Sequence, residues 1–231
     1  GKISEKIALK EIKNIFNDLK NTKKVGKKKV VESQKTPKVL LKYKETDQTH
    51  FVFGVRTFDL FDKRNATLDV LSGILGGGMS SRLFQKLREE MGVGYYVRSY
   101  NDPSTDHGFF QISAGVDNKR IHEVLEAVLE ECRKLKTYEV DDDELEKTKE
   151  CLIGNMKLSL ESSDDIANFY GAQELLKKKI VLAEDRAKEL RKVTARDIKD
   201  LANSIFVDKN LNLALIGPFK EEKNFLKILK F

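Results

Sequence analysis

The chain has two cysteines, three histidines and no long apolar run, and each shortage removes a class of function. Cys132 and Cys151 are too few for a four-cysteine zinc site or a disulfide scaffold. Both fall in helical apolar patterns, which reads as a pair of buried free thiols. No stretch approaches the roughly 18 apolar residues that span a bilayer, so no membrane role is expected. The opening GKISEKIALK lacks an apolar core followed by a small-residue cleavage site, and cytoplasmic residence is the expectation. No phosphate-binding G-x-x-x-x-G-K-[ST] follows a strand, and neither does a G-x-G-x-x-G dinucleotide fingerprint.

What is present is a chain of 231 residues, enough for one large domain or two small ones, with 40% hydrophobic and 35% charged residues. The formal charge of +6 invites a nucleic-acid role, but much of the excess sits in KNTKKVGKKKV, residues 20–30. That run has no interleaved aromatics and fits no nucleic-acid module, so a solvated linker is the expectation.

Residues 4–19 have the spacing of an amphipathic helix, with Ser4 as N-cap and Ala8, Ile12, Ile15 and Phe16 recurring at helical intervals. Periodicity then lapses until Pro37, which divides the chain into residues 1–37, the tail of a preceding domain, and a unit over 38–231. Strand patterns follow in KVLLKYKE and THFVFGVRTFD, then helices over about 62–75 and 79–91. GYYVRSYND and GFFQISAGVD make a hairpin around PSTDHG. Helices over about 118–135, 141–162, 163–177, 181–191 and 194–206 come next, the last with a capping-box start at Thr194 and Asp197. The strand LNLALIGP and a short helix end the chain. Hairpin strands, a helical block and one returning strand predict an α+β fold, a mostly antiparallel sheet covered on one side by helices.

The stretch LGGGMSSRLFQKLREEMGVGYYV, residues 75–97, breaks one helix with glycines and starts another at Ser80 or Ser81. Taken alone, the glycines simply end a helix and let the chain change direction. With the strands on either side, the stretch resembles the insulinase/pitrilysin-type zinc metallopeptidases, which include the mitochondrial processing peptidases. The likeness extends from about 38 to 217. It implies paired homologous halves clasping a substrate chamber, one of which carries the inverted zinc motif H-x-x-E-H.

None of His50, His107 and His122 opens that motif. HEVLE at 122–126 puts Glu126 where H-E-x-x-H would have its second histidine, and His122 reads as a boundary histidine. The resemblance therefore implies the metal-free half, with no cofactor in this chain and zinc in a partner half on the same or another polypeptide. It assigns catalytic roles to Arg88 and Tyr95, which would bind substrate main chain and stabilise the tetrahedral intermediate. The guanidinium has fixed donors for peptide carbonyls and the phenol a donor for an oxyanion. A tight glycine turn between them would point both into one cavity. It also assigns peptide contact to Gly76, Gly77, Gly78 and Arg82. The expected partners are the metal-bearing half and a peptide. The alternative within the same fold is a structural core subunit with no proteolytic role.

Overall fold

The computed structural model describes residues 2–20, 25–177 and 179–231; residues 21–24 of the lysine run lie outside them. Five strands form one sheet in the order β1-β5-β2-β4-β3. They are β1 (Lys38–Tyr43), β2 (Gln48–Thr57), β3 (Gly94–Pro103), β4 (Gly108–Asp117) and β5 (Leu211–Gly217). The last strand returns to lie parallel to β1 and antiparallel to β2, and β2, β4 and β3 continue antiparallel. The sheet is thus mostly antiparallel, as its hairpin pattern predicts.

Alternation decides which face is covered. In β2, Phe51, Phe53 and Val55 are buried while His50, Val52 and Arg56 are exposed. In β4, Phe110, Ile112 and Ala114 are buried. The buried row meets α2 (Asn65–Gly76), α4 (Ile121–Thr137) and α8 (Ala195–Ile205). Phe110 packs edge-on against Phe206 at 5.8 Å between ring centroids. α5 (Asp142–Leu158) and α7 (Ala183–Arg191) lie against α2. α6 (Ser163–Lys177) connects them, and α9 (Glu222–Leu226) packs near β1. Thr194 and Asp197 form the expected reciprocal capping box on α8.

Some local expectations give way to three-dimensional context. α1 (Glu5–Phe16) forms as predicted, but the Ser4 side chain makes no capping bond and the helix buries no residue. Its Ile7, Ile12, Ile15 and Phe16 are 51–70% exposed. Cys132 is buried, and burial pushes its thiol pKa well up. Cys151 is exposed, contrary to its expected burial. The inward stripe of α5 runs through Leu145, Lys149 and Ile153, and a residue two positions from either neighbour faces the other way.

The junction of α2 with β3 is the tightest point near the glycine run. A Cβ at Gly76 would stand 2.6 Å from the backbone nitrogen of Ser99 and 2.8 Å from its Oγ. Gly76→Ala is therefore expected to lower the unfolding free energy by about 1–3 kcal/mol, despite alanine's better helix propensity. Urea denaturation of the two proteins checks this.

Candidate active site

The segment from Gly77 to Gly94 links the end of α2 to the start of β3. Ser81 Oγ donates to the Gly78 carbonyl at 2.6 Å, and Gln85 Nε2 donates to the Met79 carbonyl at 2.6 Å. These bonds close the glycine turn on itself and start α3 (Arg82–Phe84). The helix does not continue as a regular α-helix. From Gln85 to Glu90 it is π-wound, and Met91 N–H reaches back to the Lys86 carbonyl at 3.0 Å. A π-turn adds a residue to the circuit and rotates the side chains beyond it, a feature frequent at functional sites. Leu83 and Leu87 remain fully buried, which turns Arg88 outward.

Gly92 then takes a φ of 63°, a conformation that costs a side chain little only at glycine, and the chain reverses into β3. The reversal places Tyr95 beside Arg88: Arg88 Nη1 donates to the Tyr95 carbonyl oxygen at 3.2 Å. The guanidinium also lies 5.4 Å from the centre of the Phe84 ring. Both residues are exposed, Tyr95 by 55%. They stand on an open shelf rather than in a cavity. Neither residue lines the hollows found among the described residues: one of about 840 Å³ lies between α2, α6 and α7, one of about 300 Å³ between α2, β3, α5 and α7 with Gly77 in its wall, and one of about 700 Å³ beside β1 at Tyr43 and Phe219.

The other predicted site residues fall into distinct surroundings. Gly76 is buried under β3, while Gly77 and Gly78 are exposed. Arg82 turns away from the shelf and grips Glu144 at the start of α5, Nε to Oε1 at 2.8 Å and Nη2 to Oε2 at 2.6 Å. The two side chains are only 22% and 29% exposed. At the far end of the helix that carries Arg88, Arg120 Nη1 donates to the Met91 carbonyl at 2.8 Å while its other nitrogens hold Glu123. Arg120 holds the Glu123 carboxyl below the usual carboxylate range. The helix carrying Arg88 is thus fastened at its start by the Arg82–Glu144 fork and at its end by a single bond from Arg120.

Two residues escaped the sequence reasoning. Tyr96 lies across β4 to stack on His50, with its hydroxyl 3.2 Å from His50 Nδ1. A Cβ at Gly115 would come within 2.6 Å of the Tyr96 ring, so the glycine is what lets the ring lie there. The register that puts Gly115 between the two partners cannot be read from a local pattern. The other histidines are engaged elsewhere: His107 bonds Asp106 at 2.7 Å, and His122 stacks on Phe225 at 4.8 Å. Among the described residues, no group of three or more His, Cys, Asp or Glu side chains is placed to hold a metal ion. Among the described residues, too, no helix is long and apolar enough to cross a membrane.

The sequence matches the family described as the peptidase M16 inactive domain over residues 1–152. It is 35% identical over 179 residues to the zinc protease YmxG of Bacillus subtilis, covering 78% of this chain and 44% of that protein. It is 32% identical over 180 residues to a zinc protease of Streptomyces coelicolor, covering 78% and 39%. The chain therefore spans less than half the length of these relatives. The fold is that of a protease from Helicobacter pylori, at a TM-score of 0.83 and 23% identity, covering 94% of this chain and 53% of that one. A peptidase M16 inactive domain from Pseudomonas fluorescens superposes at 0.82 and 21% identity, covering 95% and 53%. A chain of complex III2 from Candida albicans shares the fold at 0.73 and 14% identity, covering 84% and 49%.

The Arg82–Glu144 bond is mostly removed from water and is charge-assisted, so losing either partner leaves the other with unmet hydrogen bonds. Arg82→Gln and Glu144→Gln are each expected to cost about 1–2 kcal/mol of stability, with the double variant costing less than the sum. A double-mutant cycle in urea measures both quantities.

Proposed function

The chain belongs to the peptidase M16 family, as its inactive domain, and from that premise we propose that it is the non-catalytic, substrate-binding half of a zinc-dependent endopeptidase. The observation that carries the proposal is the joining of Arg88 and Tyr95 on one exposed shelf, produced by a π-turn and a left-handed glycine. An outward cation beside a tyrosine, with no cavity wall of its own, suits a site completed by a second surface.

That surface would belong to a homologous half, and a zinc ion held there would supply Lewis-acid chemistry to the scissile carbonyl and to a water. The three histidines of this chain are separately engaged with Tyr96, Asp106 and Phe225, which agrees with a metal held elsewhere. Arg88 offers its guanidinium donors to a peptide carbonyl of the substrate and exchanges its bond to the Tyr95 carbonyl for that contact. Tyr95 donates its phenolic proton in a hydrogen bond to the oxygen that gains charge as the carbonyl becomes tetrahedral. Gly77 and Gly78 leave main chain bare for a passing peptide. Arg82, bonded to Glu144, keeps the glycine turn and the Arg88 helix in place.

Residues 1–37 form, in the same proposal, the tail of the preceding homologous domain. The exposed apolar face of α1 supports this, because an amphipathic helix gains its stability by covering such a face. The likeness to a complex III chain is one of fold, and a structural role for this chain would leave the outward Arg88 without a task.

On its own the chain is expected to cleave no peptide. Mixed or fused with a zinc-bearing homologous half, it is expected to support turnover. In that assembly Arg88→Ala should lower kcat about 10²–10³-fold and Tyr95→Phe about 10-fold or more. Steady-state kinetics on a fluorogenic peptide decides the matter, and full turnover in both variants would sink the proposal.

A further inference from the structure

The helices cover one face of the sheet, and the strands alone form the other. Across its centre runs the row Leu40, Ala214, Val52, Ser113 and Arg98, one residue from each strand. The neighbouring row ends in His50, Gly115 and Tyr96, beside the Arg88–Tyr95 shelf. Leu40 is 69% exposed, Ile216 43% and Val52 39%, and the residues between them are small. The floor is therefore shallow, apolar and aromatic.

The charges on this face are uneven. Arg56 is neutralised by Glu32 at 3.6 Å, and Asp117 is turned to the backbone nitrogen of Lys119. Among the described residues no carboxylate lies within 4.0 Å of Lys38, Lys42, Arg98 or Arg88. Of the strand residues on this face Asp102 is the remaining acid, at the far end of β3 in the row of Arg56, while Glu89 and Glu90 adjoin Arg88 on its helix. Unpaired cations on both edge strands of an apolar face, Lys38 and Lys42 on β1 and Arg98 on β3, attract anionic side chains and repel cationic ones.

We propose that this uncovered face selects the substrate, and that it takes an extended peptide segment of apolar and acidic side chains. The proposal deepens the assignment of the chain as a substrate-binding half and rests on it. Five strands at about 4.8 Å spacing give a track of roughly 19 Å, the length of about six extended residues. Apolar side chains rest on Leu40, Val52 and Ile216, and carboxylates reach Lys42 at one edge and Arg98 at the other. A segment leaving the Arg98 end passes Tyr96 and arrives at Arg88 and Tyr95.

The test needs no zinc. Two fluorescein-labelled peptides of equal length, one of Ala, Leu and Glu and the other of Ala, Leu and Lys, are titrated with the 231-residue chain. Fluorescence anisotropy should show the acidic peptide binding about tenfold tighter, and weakening between about 50 and about 200 mM salt. Lys42→Glu combined with Arg98→Glu should abolish or invert the preference. Both side chains are exposed, and circular dichroism confirms that the fold is kept. Equal binding of the two peptides, a preference for the lysine peptide, or an unchanged preference in the double variant overturns the proposal. The two proposals fail separately. Loss of turnover in Arg88→Ala without any charge preference removes only this one. A charge preference with full turnover in both Arg88→Ala and Tyr95→Phe removes only the catalytic assignment.

Discussion

The end of α2 lies directly on the backbone of β3, and the missing side chain at Gly76 is what makes that approach possible. Much of the candidate site depends on this contact. β3 is an edge strand, paired only with β4, so its position has to be set from the helical side as well as by its one ladder. Once the helix end and the strand are held together, the segment between them must leave and return within a short distance. The glycine turn, the short helix and the reversal at Gly92 are the means by which it does so.

Within that segment, burial and charge divide the work. Leu83 and Leu87 fix one side of the helix in the core, and the π-wound turn changes which side chains face outward after them. Arg82 and Arg120 hold the two ends through Glu144 and the Met91 carbonyl. Fixed neighbours of this kind lower the entropy that Arg88 would lose on gripping a ligand, because the backbone beneath it is already ordered.

A sheet with one bare face and an arginine on an open shelf have one feature in common: each leaves a surface to solvent. Apolar residues on a strand face gain free energy when something covers them, and Leu40, Val52 and Ile216 are left in water here. α1 shows the same condition more strongly, with an apolar stripe and no buried residue. The relatives are more than twice as long as the stretch this chain matches, so there is ample additional chain in those proteins to supply covering surfaces.

Alternation in β2 and β4, the stripe of α4 and the capping box of α8 were legible because each is a local periodicity that burial on one side enforces. The adjacency of Arg88 and Tyr95 was legible through the glycine turn, whose short span brings residues seven apart together, but the shared cavity expected of them is an open shelf. The π-winding, the outward thiol of Cys151 and the crossing of Tyr96 over Gly115 were not. The sequence by itself determined which segments are helices and strands and which face of each is apolar, since these follow from spacing along one chain. Only the tertiary structure decided that Arg82 meets Glu144, that Tyr96 meets His50, and that the cations of β1 and β3 flank one bare surface. Those pairings depend on strand order and register between residues far apart in the chain, and no local pattern encodes them.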